Sequence, residues 1–186
     1  MAIPLDSPIL LVDGYNVLGA WCQVQASTAP SRNLFKPGPS LEIARTGLID
    51  ALANYSAFQG YQTQLVFDAQ HRQDRGSCER CTDSLEIFYT DFGQTADSYI
   101  ELYCAQARAR SIRIIVATSD RAQQLTVIGY GAEWMSAQSL VSDLATTTNQ
   151  IRNQQNSKQR SPSRSLAHSL NPEAKQRLEQ WRMGLG

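Results

Sequence analysis

Three short apolar runs restrict the fold of this 186-residue chain more than any other feature. They are ILLVD (9–13), TQLVFD (63–68) and IRIIVATSD (112–120). Apolar residues follow one another in these runs instead of alternating with polar ones, which is typical of strands that are buried on both faces of a parallel sheet. Two further segments, LEIFYT (85–90) and AEWMS (132–136), also have the composition of strands, so we expect five strands.

Helical patterns lie between these runs. Each of four patterns follows a residue that is common at helix N-caps: Ser40, Thr95, Asp120, and Ser136 or Ser139. Gly60 is placed to end the first helix. Strands that alternate with helices predict an α/β fold, a three-layer sandwich with right-handed crossover connections.

The length of the chain allows one domain with appendages. We assign residues 1–150 to this domain, residues 151–169 to a flexible basic linker, and residues 170–186 to a short C-terminal helix. Two polar segments inside the domain, 27–40 and 69–84, have the composition of loops. No apolar run approaches the roughly 18 residues of a membrane span, and no signal-peptide pattern is present, so we expect a cytoplasmic protein without a membrane partner.

Charge is distributed unevenly along the chain. Residues 150–186 contain seven basic and two acidic side chains, although the net charge of the whole chain is zero, so the body is acidic. This asymmetry is expected if the body gathers carboxylates at a site and the tail contacts phosphates. A tail that is only solvated explains the charge equally well.

The motif CERC contains two of the four cysteines, Cys78 and Cys81. One C-x-x-C motif can supply half of a zinc site or a redox pair. A structural zinc ion needs four ligands, however, and the sequence has no second motif of this kind. We therefore favour an ordinary surface loop with reduced cysteines.

Aspartates follow the apolar runs: Asp13, Asp68 and Asp120 each come at the end of one. In open parallel sheets the ligand site lies beyond the carboxyl ends of the strands, so these side chains are expected at one edge. Asp97, in the first turn of a predicted helix, and Glu101, one turn later on the same face, can join them. Any one of these acids could instead be a helix cap, but a cluster of them repels itself unless a cation is present or the pKa values rise.

Carboxylates without nearby histidine or cysteine predict Mg²⁺ or Mn²⁺ rather than Zn²⁺. Such an ion activates water for hydrolysis, and the neutral side chains of Asn16 and Ser119 can orient a water or a phosphate. Both histidines, His71 and His168, lie in polar segments, and no serine or cysteine nucleophile is paired with them. The glycine motifs of P-loop and Rossmann nucleotide sites are absent, so hydrolysis by metal-activated water is the leading chemistry.

Five segments, ILLVDGYNVLGAW, LVFDAQ, GQTADSYIE, VATSDRAQQ and GYGAEWMSA, resemble the YacP-like branch of the NYN domains in order and spacing. This branch belongs to the PIN-like ribonuclease superfamily, and the match spans about residues 9–145. The segment LNPEAKQRLEQWRMG also resembles the terminal helix of the branch.

The resemblance implies a PIN-like fold with strand order 3-2-1-4-5 and endonucleolytic cleavage of RNA that depends on a divalent metal. The metal-binding acids of the family fall on Asp13, Asp97 and Asp120, and Asn16 is the accompanying polar residue. Asp68 and Glu101 are possible further members. Some relatives act on mRNA engaged with the ribosome, which implies mRNA and the ribosome as partners.

Our leading hypothesis is therefore a metal-dependent endoribonuclease. Its contacts to RNA phosphates are assigned to the basic tail and to four arginines: Arg72, Arg75, Arg80 and Arg121. The alternative is a non-catalytic RNA- or ribosome-binding module on the same scaffold. A phosphatase or nucleotide hydrolase ranks last because the chain lacks a loop that cradles phosphates.

Overall fold

The computed structural model describes residues 7–28, 41–68, 77–109 and 112–160. The elements in these residues are β1 (Ile9–Asp13), α1 (Gly14–Thr28), α2 (Leu41–Gln59), β2 (Gln62–Phe67), β3 (Ser77–Thr82), β4 (Leu85–Tyr89), α3 (Ala96–Arg108), β5 (Ile114–Ala117), α4 (Arg121–Gly129), β6 (Glu133–Met135) and α5 (Ala137–Arg160).

All strands form one sheet, in the order β3-β4-β2-β1-β5-β6. Every pairing is parallel except that of β3 with β4. The central strand β1 is in register with both neighbours, since Val12 lies opposite Leu65 and Ala117. The carboxyl ends of β1, β2 and β5 therefore lie side by side, at the edge where the strand-ending acids were expected.

The prediction of a mainly parallel α/β sheet is confirmed, but the predicted number of five strands is wrong. The five expected strands keep their relative order, and β3 is added at the edge, antiparallel to β4. All six side chains of β3 are exposed, so the strand lacks the apolar pattern by which a strand is recognised in a sequence. Its pairing with β4 supplies the backbone hydrogen bonds, and an ion pair between Arg80 and Glu86 at 3.0 Å links the two strands.

The C-x-x-C motif lies in β3, so the interpretation of this segment as a loop is wrong. A register shift between Arg80 and Thr82 interrupts the regular alternation of the strand at Cys81, so the neighbours of each thiol show which face it lies on. Cys78 interacts with Glu86 and Arg80, whereas Cys81 interacts with Glu79 and Arg45, and the pKa of each thiol is raised, mainly by burial. Both cysteines are free and exposed, and their separation onto two faces argues against a redox pair.

Two apolar clusters cover the faces of the sheet and complete the three layers. One cluster joins alternate strand residues, such as Leu10, Leu65 and Ile115, to helices α1, α2 and α5. The other joins Leu11 and the remaining strand residues to α3 and α4. Because β1 is buried on both faces, its continuous apolar sequence is explained.

Several predicted helix ends are present. Thr95 and Asp120 are the N-caps of α3 and α4, Ser136 accepts a hydrogen bond from the backbone N–H of Ser139, and Gly60 follows α2 with φ of 73°. The cap expected at Ser40 lies outside the described residues. Helix α1 is not among the predicted helices, because it begins at Gly14, directly after β1 and within the motif DGYN.

The chain divides into two compact units, Met1–Thr148 and Asn149–Gly186. In the second unit the structure describes residues 149–160, the last turns of α5, which extend into the segment assigned to a linker. The rest of that segment and the expected helix at 170–186 lie outside the described residues, so the domain boundaries stay a prediction. No described helix is both long enough and apolar enough to cross a membrane.

Candidate active site

Asp13 is the last residue of the central strand and directly precedes α1. Its side chain is buried, with 4% of the residue exposed. The backbone N–H of Asn16 donates to Oδ1 at 3.1 Å, and the side-chain amide of Asn16 donates to Oδ2 at 2.7 Å. Burial raises the pKa of Asp13 and the charge of Asp120 adds to this, whereas hydrogen bonds from Asn16 and from the backbone N–H of Tyr15 oppose it.

Gly14 allows α1 to begin directly against β2. A Cβ atom at this position would lie 2.6 Å from the ring of Phe67 and 2.7 Å from the backbone oxygen of Val66. Such distances are far shorter than a carbon contact of about 3.5–4.0 Å. Glycine therefore lets Asp13 lie close to the end of β2, where Asp68 follows Phe67.

Asp120 is held by the turn that follows β5. Its carboxylate accepts hydrogen bonds from the backbone N–H groups of Ala122 at 2.7 Å and Gln123 at 3.1 Å, as an N-cap does. Its own N–H donates to the hydroxyl of Thr118 at 3.0 Å. The indole N–H of Trp134 donates to the backbone oxygen of Thr118 at 3.0 Å, so β6 also supports the turn.

Asp97 lies in the first turn of α3, whose N-cap Thr95 accepts a hydrogen bond from the backbone N–H of Ser98 at 3.1 Å. The pKa of Asp97 is raised by burial and then by the charges of four other acids, which are Asp13, Asp120, Glu101 and Asp68. The structure thus brings the other four predicted acids within electrostatic reach of Asp97. Among the described groups that shift this pKa, none is a cation.

Three helices begin at this cluster. Asp13 and Asp120 precede α1 and α4, and Asp97 lies in the first turn of α3. The N-terminus of a helix carries a partial positive charge, which stabilises a nearby carboxylate. The three helix starts therefore offset part of the repulsion among the acids.

The acids do not form a closed metal cage. In the part of the chain that the structure describes, no group of three or more histidine, cysteine, aspartate or glutamate side chains is arranged to hold a metal ion. Ser119 is exposed, and its hydroxyl donates to Oε1 of Gln138 at 3.2 Å. Ser119 thus has a partner on α5, and nothing in the geometry places its hydroxyl on the carboxylates.

The predicted RNA-binding arginines are only partly described. Arg72 and Arg75 lie outside the described residues. Arg80 forms the ion pair with Glu86 on the outermost strand, three strands away from β1. Arg121 is exposed at the start of α4, directly after Asp120, so it is the one of the four that the described structure places beside the acids.

The sequence interpretation missed Gln123. This residue is 2% exposed, and neither polar atom of its side chain has a hydrogen-bond partner within the described structure. Its backbone N–H donates to Asp120, so it belongs to the first turn of α4 beside the cluster. Buried amides are nearly always hydrogen-bonded, so this side chain needs a partner that the described residues do not supply. In the sequence, only its position three residues after Asp120, in the first turn of the predicted helix, indicates that Gln123 lies near the acids.

A pocket of about 370 Å³ lies at the opposite edge of the sheet, beside the C-terminal ends of α3 and α4. It is lined in part by Arg108, Arg113 and Tyr130. Its described lining contains no carboxylate, so it is separate from the acidic cluster.

Comparisons with known proteins agree with this architecture. The sequence model of the family described as the YacP-like NYN domain matches residues 10–183. YacP of Bacillus subtilis (strain 168), described as an uncharacterized protein, is 33% identical over 177 residues, which cover 95% of this chain and 97% of YacP.

Two crystal structures of Rae1 (YacP) from Bacillus subtilis are similar to this one. A mutant form has a TM-score of 0.63 at 29% identity, covering 92% of this chain and 98% of the other. A second structure has a TM-score of 0.61 at 32% identity, covering 95% of each chain. The chain therefore belongs to the YacP-like NYN domain family and has the PIN-like nuclease fold.

Proposed function

We propose that this protein is an endoribonuclease that uses a divalent metal ion, Mg²⁺ or Mn²⁺, to hydrolyse phosphodiester bonds within RNA. The observation that carries the proposal is the convergence of Asp13, Asp68, Glu101 and Asp120 on Asp97, whose pKa they raise. A cluster of carboxylates in which no described cation offsets the raised pKa of Asp97 is the environment that a divalent ion would neutralise.

The chemistry of the donors suits such an ion. All of them are carboxylate or amide oxygens, which Mg²⁺ and Mn²⁺ prefer. Mg²⁺ usually keeps several waters and is bound through only one or two carboxylates, so the lack of a three-ligand cage among the described residues is compatible with it. When bound, such an ion would supply a water of lowered pKa and neutralise charge on the leaving oxygen.

The protein residues have distinct roles in this proposal. Asp13, held in one orientation by Asn16, and Asp120, held as an N-cap, are the fixed metal ligands. Asp97 has no hydrogen-bond donor among the described residues, so it can adjust to the metal or accept a proton from water. The amide of Gln123, in the first turn of α4 beside Asp120, is proposed to orient a water at the site.

Cleavage of a labelled single-stranded RNA by purified protein tests the proposal, with Mn²⁺ and with EDTA. We expect internal cuts that require the metal and that are lost in Asp13→Asn and in Asp97→Asn. Asp50→Asn is the matched control, because it makes the same chemical change at an exposed position of α2. Circular dichroism of each variant shows whether it is folded.

Each outcome separates two functions. Metal-dependent cuts by the wild type and by Asp50→Asn alone support the endoribonuclease. Cutting by Asp13→Asn and Asp97→Asn at the wild-type rate would show that the acids are not the site. Tight binding of RNA that stays intact would instead support the non-catalytic binding module.

The resemblance to NYN domains extends the proposal to mRNA that is engaged with the ribosome. The same variants should therefore be compared on an mRNA within stalled ribosomal complexes and on the naked transcript. Faster cutting in the complexes than on the naked transcript would support a ribosomal context. Equal rates on both substrates would remove it from the proposal.

A further inference from the structure

A small pocket lies beside the acidic cluster, on the face of the sheet that α1 and α2 cover. Its volume is about 100 Å³. Six side chains line it: Tyr15, Leu18, Leu41, Glu42, Arg45 and Phe67. Apolar and aromatic walls with a few charged groups are typical of ligand pockets.

Aromatic rings form one wall of this pocket. Phe67 is buried, with 2% of the residue exposed, and it stacks on Tyr89 with the ring centroids 6.0 Å apart and the planes inclined by 22°. Tyr15 contacts Phe67 edge to face, with centroids 5.3 Å apart and planes inclined by 76°. Tyr15 is nevertheless 55% exposed, so part of its ring is available to a ligand.

Arg45 adds a cation to the same wall. Its guanidinium carbon lies 4.5 Å from the centroid of Phe67 and 5.1 Å from that of Tyr89. These contacts hold the guanidinium group beside the two rings, and its N–H groups can bind an acceptor. Whereas Arg80 and Arg113 form ion pairs, Arg45 has no ion pair with any described residue.

The pocket shares its backbone with the proposed active site. The backbone N–H of Tyr15 donates to the carboxylate of Asp13, and Phe67 directly precedes Asp68. A ligand in the pocket would therefore lie next to the acids. The part of an RNA strand expected at Tyr15 is therefore a nucleotide next to the phosphodiester that the acids would hold.

We propose that this pocket binds one nucleobase of the RNA strand next to the phosphodiester that is cut, with the base stacked on Tyr15 and Arg45 donating to the base edge or the adjoining phosphate. This inference rests on the proposed endoribonuclease function. Bases stack on aromatic side chains independently of their sequence, and arginine contributes cation–π contacts and hydrogen bonds.

The negative charge of the acidic cluster opposes RNA binding, and this pocket can compensate for it. The acids repel the phosphates of an approaching RNA, so attraction between charges contributes little to binding at this edge. Stacking does not depend on charge, and Arg45 is a cation held by its ring contacts against Phe67, the residue before Asp68, and against Tyr89. The pocket thus supplies affinity where the catalytic carboxylates oppose it.

Equilibrium binding in EDTA tests the inference without relying on cleavage. We expect Tyr15→Ala to weaken the binding of a fluorescent single-stranded RNA about tenfold and Tyr15→Phe to change it less than about twofold, because phenylalanine retains the stacking surface. Arg45→Gln should also weaken binding. Phe58→Ala is the matched control, since Phe58 is exposed near the other end of α2, about 20 Å along the helix from Arg45.

A second measurement identifies the base. A short RNA is prepared as a series in which one nucleotide at a time is abasic, and each member is tested for binding. With the wild type, one abasic position next to the mapped cut should weaken binding about as much as Tyr15→Ala does. With Tyr15→Ala, the same abasic position should cause no further loss, because the two changes remove the same contact.

The failures of the two proposals are distinguishable. Wild-type affinity in Tyr15→Ala, or equal losses from abasic positions in both proteins, would overturn the base pocket while metal-dependent cutting still supported the nuclease. A wild-type protein that neither binds nor cuts RNA would overturn both. Loss of binding in Tyr15→Phe as large as in Tyr15→Ala would show that the hydroxyl, not stacking, makes the contact.

Discussion

Asn16 binds both carboxylate oxygens of Asp13, through its backbone N–H to Oδ1 at 3.1 Å and through its side-chain amide to Oδ2 at 2.7 Å. Hydrogen bonds from two groups of one residue fix the plane of the carboxylate. They also stabilise its ionised form, against the burial that raises the pKa of Asp13. Asn16 therefore favours the ionised form of a buried acid without adding a negative charge of its own.

Asn16→Ala should move the acidic limb of the pH–activity profile to higher pH. The variant keeps the backbone hydrogen bond but loses the side-chain one, so the pKa of Asp13 rises further and more of the acid is protonated at a given pH. Metal-dependent cleavage measured across the pH range should fall more at pH 5 than at pH 7. Asn54→Ala, at an exposed position of α2, is the control. An unchanged acidic limb would show that Asp13 does not need this amide.

Asp97→Asn should make the metal-free protein more stable at neutral pH. The pKa of Asp97 in the folded protein is raised above its ordinary value, so the folded state binds a proton more tightly than the unfolded state. The stabilisation from this proton is complete at a pH below the pKa of Asp97 in the unfolded protein. It is lost as the pH rises through the pKa of Asp97 in the folded protein. At pH 7 the ionised side chain therefore lowers the stability, and asparagine removes this cost.

Thermal unfolding in EDTA measures this effect. The melting temperature of Asp97→Asn should exceed that of the wild type at pH 7, and the difference should shrink as the pH is lowered towards 4. Mn²⁺ should raise the melting temperature of the wild type more than that of the variant, because a ligand stabilises the state that it binds. A lower melting temperature of Asp97→Asn at pH 7 in EDTA would contradict the repulsion among the acids.

Gly14→Ala should destabilise the protein by about 1–3 kcal/mol, the usual cost of overpacking. The added methyl group would lie 2.6 Å from the buried ring of Phe67 and 2.7 Å from the backbone oxygen of Val66, which cannot move away. Gly19→Ala is the control in the same helix. A Cβ atom there meets nothing within 4 Å, so we expect a gain of about 0.5–1 kcal/mol from helix propensity. Urea denaturation of both variants measures the two effects, and similar values for them would contradict the close contact.

The acids of the site could be predicted because they are tied to features that are local in sequence. Asp13 and Asp120 end apolar runs, and Asp97 follows a cap that Thr95 indeed forms. Contacts between side chains that are distant in sequence could not be predicted from local patterns. Arg45 contacts the ring of Phe67 only because α2 packs on the sheet, and a sequence pattern does not record the rotation of a helix on its neighbour.

Strand β3 could not be predicted from its own sequence. Its sequence, SCERCT, has neither an apolar run nor an apolar alternation, since both faces of this edge strand are exposed. The strand exists because β4 offers it backbone partners, which is a property of the sheet and not of the segment. The sequence of the C-x-x-C motif therefore favours a surface loop, although the segment forms a strand.

Gln123→Met should raise the free energy of unfolding by about 1 kcal/mol and at the same time slow RNA cleavage. Gln123 is 2% exposed, and its amide has no partner among the described residues. A buried unpaired amide costs about 1–3 kcal/mol. Methionine fills a similar volume without a polar group. Urea denaturation in EDTA and cleavage in Mn²⁺ measure the two effects, with Gln106→Met on the exposed face of α3 as the control. A loss of stability would show that the amide has a bound partner such as water, and unchanged cleavage would remove Gln123 from the site.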